Sequence, residues 1–184
     1  MDRREFVKIL VTGTAGTIAF PCSAEPCLEE SIDETIRQTY QLSPEEPTMV
    51  LLGKETRLSL FSDGFVRSYD VAIGRNGLGN SYGSRKTPTG LLRIANKLGA
   101  GKPLGTRWYS TTIPGGVMTT RVMGLAGLEE KNRNAMVRGI CLHGTPDEKS
   151  VPGRASHGCI RMRNRDVMEL FEYVKVGTYL YVYE

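Results

Sequence analysis

Beyond Met49 the apolar residues fall into short runs cut by glycine and proline, and this punctuation restricts the possible fold more than any other feature of the chain. Short runs rich in β-branched and aromatic residues, closed by turn formers, read as strands; a helical bundle needs sustained 3.6-residue periodicity, which these runs lack. Thr48 to Leu52 is an apolar run, Glu55 to Phe61 alternates, Asp63-Gly64 makes a turn, and Phe65 to Ile73 reads as the second arm of a hairpin. Gly74, Gly77, Gly79, Gly83, Pro88 and Gly90 then mark a long loop. Further strands are expected over Leu91 to Ala95, Trp108 to Ile113, Val117 to Val122 and Val137 to Leu142, the last delivering His143 to its end. A short helix is expected over residues 127–137. Asn164 is expected to cap another over Arg165 to Val174, with Asp166 favouring the helix dipole. Gly177 ends that helix, and Thr178 to Tyr183 closes the chain as a strand. The expectation is a compact, mainly β domain with a few short helices.

The first 48 residues differ in character. Arg3-Arg4-Glu5-Phe6-Val7-Lys8 resembles a twin-arginine export signal, and the weakly apolar stretch from Ile9 to Phe20 is too short and too polar for a permanent membrane anchor. Cys22-Ser23-Ala24 supplies small residues for cleavage, so residues 1–24 read as a signal peptide and Glu25 as the mature start. This places the chain in the periplasm with no stable transmembrane anchor after processing. Residues 25–48 form an acidic leader, seven acidic residues against one basic, whereas residues 49–184 carry 20 basic and 11 acidic. Leu28, Ile32, Ile36 and Tyr40 stand at helical spacing in that leader, and Pro44 and Pro47 end the helix and start a linker. A basic domain suits a polyanion; export argues against nucleic acid and for the carboxylates of the cell wall.

Residues 143–162, HGTPDEKSVPGRASHGCIRM, hold both histidines of the chain. A thiol needs a base to become the nucleophilic thiolate, so Cys159 with His143 reads as a cysteine nucleophile for acyl transfer. Removing Cys22 leaves Cys27, Cys141 and Cys159, which cannot all pair internally; Cys141, inside an apolar run, reads as a small core residue. Two histidines and a cysteine lack a fourth ligand at suitable spacing, so no metal is expected. The run Gly74-Arg75-Asn76-Gly77-Leu78-Gly79 hints at a phosphate loop, but no amphipathic helix follows it, and no cofactor is expected.

HGT, a loop, and then SHGC-I-R, with Lys86-Thr87-Pro88-Thr89-Gly90 upstream, resemble the L,D-transpeptidase catalytic domain over residues 49–184. The resemblance implies a β-sandwich or barrel-like fold with Cys159 as nucleophile. It implies His143 as general base held by the Gly144 carbonyl, with His157 shaping the turn or assisting the oxyanion. The backbone amides of His157, Gly158 and Cys159 would form the oxyanion site, Ser156 would brace the turn, and Arg161 would clamp a stem carboxylate. Peptidoglycan stem peptides would be donor and acceptor, with a wall-anchored lipoprotein as a further acceptor. A hydrolase on the same scaffold, an L,D-carboxypeptidase or a wall-protein-detaching enzyme, shares these residues; a non-enzymatic wall- or metal-binding module is the remote alternative. Residues 98–135 are expected to include a lid or groove wall; Trp108 and Tyr109 are candidates to contact substrate, packing being the expected role of the sole tryptophan.

Overall fold

The computed structural model describes residues 27–184; the expected export signal lies outside the described residues. The acidic leader forms α1 (Leu28–Tyr40), opened by a hydrogen bond of 3.0 Å from the Cys27 amide to the Glu30 carboxylate. Strands then follow as β1 (Thr48–Leu52), β2 (Arg57–Ser62), β3 (Phe65–Asp70), β4 (Ala72–Gly74), β5 (Gly90–Leu98), β6 (Arg107–Tyr109), β7 (Val117–Gly127), β8 (Cys141–Gly144), β9 (Gly153–Ser156) and β10 (Ile160–Met162). Helix α2 (Asn164–Tyr173) and β11 (Tyr179–Tyr183) complete the chain. The strands join one mixed sheet in the order β3-β2-β1-β11-β5-β7-β8-β10-β4-β9, with β6 on β7. The mainly β expectation holds.

Period-two alternation sorts the side chains into two cores. Met49 and Leu51 of β1, Leu58 and Leu60 of β2, Leu92 and Ile94 of β5, Leu142 of β8, Ile160 and Met162 of β10 and Leu180 and Val182 of β11 converge on one cluster. Nearly every strand contributes to it, so the sheet curls around a single interior, with Val167, Leu170 and Phe171 of α2 packed into it. Val50, Leu52, Phe61 and Leu91 point to the opposite face and are covered by Ile32 and Ile36 of α1. The leader helix is therefore docked. Arg37 stitches it down by donating to the carbonyls of Ser43 (2.8 Å), Glu46 (3.0 Å) and Phe61 (3.2 Å), and Arg57 pairs with Glu29. Ile36 is 4% exposed; Ile36→Ala should cost about 2–5 kcal/mol. At about 2–4 °C per kcal/mol for a domain of this size, thermal denaturation should show a melting temperature lower by about 4–20 °C.

Several boundaries differ from those expected. The second hairpin arm ends at Asp70; β4 leaves β2 and pairs instead with β10 and β9, because Val71 and Ile73 are needed in the main core. Residues 110–116 form turns, so the Trp108 to Ile113 strand is only Arg107–Tyr109, while β5 and β7 run longer than expected. The expected 127–137 helix is a single 3-10 turn, Glu130–Asn132, because Asn132 is spent tying that loop to the Thr89 and Leu91 carbonyls (both 3.0 Å). Strand β8 starts at Cys141 after a turn, and His143 lies within it. Arg163, not Asn164, occupies the N-cap position of α2; it also pairs with Asp70 and donates to the Val151 carbonyl. The Glu148 carboxylate accepts the Asn164 amide at 2.8 Å, so the cap comes from across the loop.

Candidate active site

Strands β8 and β10 are parallel neighbours, with Leu142 opposite Ile160 and His143 opposite Arg161. Leu142 and Ile160 are fully buried in the main core. By alternation, Cys141 and His143 on one strand and Cys159 and Arg161 beside them take the other face, where all four line a groove of about 560 Å³. Residues 109–118 form its far wall, and Asp147, Ser156 and His157 complete the rim. Tyr109 stands on this wall and is exposed, whereas Trp108 packs against Gly99 outside it.

His143 is buried, and its Nδ1 lies 2.7 Å from the Gly144 carbonyl oxygen. A carbonyl only accepts, so Nδ1 carries the proton and Nε2 presents its lone pair. Gly144 is required here: a Cβ would sit 2.5 Å from the Thr119 carbonyl and 2.6 Å from Asn164 Oδ1. The Cys159 thiol is held well below its ordinary value near 9 by a hydrogen bond from Cys141 and another with His143, which together outweigh burial. The same thiol–thiol bond, with burial, pushes Cys141 far up. Cys141 is therefore no inert core thiol; it stands on the groove floor beside Cys159. The reactive thiolate should persist below pH 9 and disappear only as pH falls through the depressed value. Iodoacetamide should accordingly alkylate Cys159 rapidly at neutral pH, and Cys141→Ala should move the midpoint of that pH profile upward.

The turn carrying Cys159 is heavily braced. Gly158 N–H donates to Ser156 Oγ at 2.9 Å, and that hydroxyl donates to the Cys159 carbonyl at 2.5 Å. Ser156 thus ties the two sides of the turn, and the Gly158 amide is committed to it, so His157 and Cys159 remain of the three expected oxyanion amides. Gly158 has φ +126°, and a Cβ there would meet the Lys86 carbonyl and Ile140 at 3.0 Å. Thr87 Oγ1 donates to the Gly158 carbonyl (2.9 Å) and accepts from the Gly74 amide (2.8 Å), tying the upstream Lys86–Gly90 segment to the turn carrying Cys159. His157 accepts from Arg75 at 3.5 Å; burial and the charges of Arg75, Arg85 and Arg161 lower its pKa, keeping it neutral near pH 7.

Two further residues had no site role in the sequence reading, Asn164 being expected only as a helix cap. Arg138 lies beneath the turn, donating to the carbonyls of Gly79 and Lys86, where its charge acts on Cys159. Asn164 Oδ1 accepts from both Thr119 and Thr120 hydroxyls (2.6 Å each), and its amide donates to the Thr145 carbonyl (3.0 Å) and Glu148 (2.6 Å). It therefore joins β7, the loop after His143, and α2. Beside it the β7–β8 register jumps from Thr119↔Gly144 to Val122↔His143, and buried Thr120 takes φ +67°. A β-branched residue in that region is strained by about 1–3 kcal/mol. Hydrogen bonds of Thr120 to Thr106, Gly105 and Asn164 hold it there.

The family model "YkuD: L,D-transpeptidase catalytic domain" matches residues 48–182. YqjB of Bacillus subtilis (strain 168), itself named for the same family, is 30% identical over 142 residues, covering 73% of this chain and 70% of that protein. L,D-transpeptidase 3 from Mycobacterium tuberculosis matches with TM-score 0.56 and 16% identity over 75% of this chain and 61% of that one. The LD transpeptidase LdtMt1, solved in complex with imipenem, gives TM-score 0.50 and 19% identity over 74% of this chain and 58% of that one. At such identities the two structures speak to fold alone, and this chain spans about three fifths of each. With the family model covering the strands, the groove and the nucleophile turn together, the chain belongs to the L,D-transpeptidase catalytic-domain family.

Proposed function

We propose that the protein transfers acyl groups between peptidoglycan stem peptides through a thioester on Cys159. The observation that carries this reading is the pairing of Cys159 with His143 across β8 and β10, with Nδ1 of His143 bound to the Gly144 carbonyl and Nε2 left as the base. Nε2 of His143 takes the Cys159 proton, and the thiolate attacks the carbonyl carbon that precedes the terminal D-alanine. The resulting oxyanion is held by the amides of His157 and Cys159; removing one such donor typically costs about 10²–10³ in rate. Collapse expels the D-alanine amine, protonated by His143, and leaves the thioester. His143 then takes a proton from the acceptor amine, which attacks the thioester; the new amide forms and the Cys159 thiolate departs. Arg161, on the groove wall beside His143, clamps a stem carboxylate.

Transfer is favoured over hydrolysis by a second groove of about 430 Å³ lined by Tyr82, Arg85 and Arg138, which shares His157 and Thr112 to Pro114 with the first. The second groove meets the first at His157, two residues before Cys159, and gives an acceptor its own approach. The acceptor is a second stem or the amine of a wall-anchored lipoprotein, and the twin-arginine-like segment would place the reaction in the periplasm. The full chain should convert disaccharide-tetrapeptide into cross-linked dimers that lack one D-alanine, detected by mass spectrometry. Disaccharide-tripeptide alone would replace this reading with an L,D-carboxypeptidase. A carbapenem should form a covalent adduct on Cys159.

A further inference from the structure

Acyl transfer needs one thiol, yet two face the groove floor. Cys141 precedes Leu142 on β8 and Cys159 precedes Ile160 on β10, so the register that aligns Leu142 with Ile160 sets the two cysteines side by side one residue upstream. Adjacent strands lie about 4.8 Å apart, within the Cα separation of roughly 4.4–6.8 Å that a disulfide spans. Both thiols point at one oxygen: the Gly139 carbonyl is 3.5 Å from Cys141 Sγ and 3.4 Å from Cys159 Sγ. Both are free and partly exposed to the groove, so a small oxidant reaches them without unfolding.

We propose that Cys141 is a resolving thiol, and that a hydroperoxide closes a reversible Cys141–Cys159 disulfide that switches the enzyme off. The switching role rests on the reading of Cys159 as the nucleophile. The Cys159 thiolate attacks a peroxide oxygen, the O–O bond breaks, and the departing hydroxide (or alkoxide) takes up a proton. Cys159 is thereby oxidised by two electrons to the sulfenic acid while the peroxide is reduced. Cys141 sulfur then attacks Cys159 sulfur; the S–O bond breaks and hydroxide leaves with the Cys141 proton as water. A dithiol reductant restores both thiols. The consequence is protection, because an unresolved sulfenic acid proceeds to sulfinic and sulfonic acids that such reductants do not reverse.

The test uses the full chain with Cys22→Ser and Cys27→Ser, so that only the two groove thiols remain, alongside the same protein with Cys141→Ala or, as a second variant, Cys141→Ser. Each is treated with hydrogen peroxide, then with dithiothreitol. Peptide mass mapping reads the oxidation state, and carbapenem adduct formation on Cys159 reads activity relative to each protein's own untreated value. The expected result is a Cys141–Cys159 cross-linked peptide, loss of adduct formation, and recovery with dithiothreitol. The Cys141 variants should acquire two or three oxygens on Cys159 and recover at least about tenfold less activity. Equal irreversible oxidation with and without Cys141, and no cross-linked peptide, would overturn the resolving role while leaving the nucleophile intact. A cross-linked peptide in a protein whose reduced form takes no carbapenem on Cys159 would sink the nucleophile assignment and the switch with it.

Discussion

Cys159→Ala is expected to stop cross-link formation and carbapenem acylation entirely while leaving the melting temperature within a few degrees of the parent. The side chain occupies the groove surface, and its turn is held by Ser156 and Thr87 independently of the sulfur. His143→Ala should keep the thiol but lose the base, reducing the rate of thioester formation by about 10²–10⁴. Because the base acts on reacting atoms more than on ground-state binding, the loss should fall on kcat rather than on KM. Steady-state kinetics with a tetrapeptide donor, checked by intact-protein mass after carbapenem treatment, measures both. Residual turnover in the alanine variant at Cys159 would remove the nucleophile from the mechanism.

The second large effect is expected far from any reacting atom. Asn164→Ala leaves the Thr145 carbonyl and the paired Thr119 and Thr120 hydroxyls without their shared partner, while the exposed Glu148 carboxylate keeps the residue-164 backbone amide. Unsatisfied buried polar groups cost about 1–3 kcal/mol each, and part of this is recovered as hydroxyls rotate, so about 3–4 kcal/mol should be lost. Thermal denaturation should register this as about 6–16 °C. The same group abuts the position where a Cβ on Gly144 would lie, and Gly144 holds His143. Its loss should therefore also lower kcat by about 10²-fold, the effect expected when a catalytic group is misplaced by about 1 Å. An unchanged melting temperature would show that Asn164 does not join these elements.

How far the sequence reached can be judged at particular residues. Strands β1, β2 and β11 and helix α1 were legible because each carries its own local signal: the apolar run Thr48 to Leu52, the alternation of Glu55 to Phe61, the β-branched and aromatic residues of Thr178 to Tyr183, and Ile32 and Ile36 one helical turn apart. The break at Val71 was not, since the residues from Phe65 to Ile73 suit one strand or two, and only the competing demand of the main core separates β3 from β4. The 127–137 segment has helix-forming residues whose polar groups are taken by the Gly90–Leu91 strand start, an arrangement invisible along the chain.

At the site, the order His143, Ser156, His157, Gly158, Cys159, Arg161 lies within one contiguous stretch, and its chemistry was readable because a thiol and an imidazole at a turn admit few uses. Cys141 was misplaced because its apolar neighbours Ile140 and Leu142 suggest a core thiol; strand alternation turns it to the opposite face from Leu142, which only the β8–β10 pairing makes the nucleophile's face. Arg138, Asn164 and Thr87 come from separate parts of the chain; Thr87 stood out only as part of an upstream motif and Asn164 only as a helix cap, and nothing local marks Arg138. The sequence by itself determined the candidate reacting groups and the local strand and turn preferences, because those depend on side-chain chemistry and short-range sterics. Tertiary structure alone decided which strands are neighbours, which amides are already spent, and which distant residues hold the base and the nucleophile turn, because these follow from long-range pairing and from satisfying every buried polar group at once.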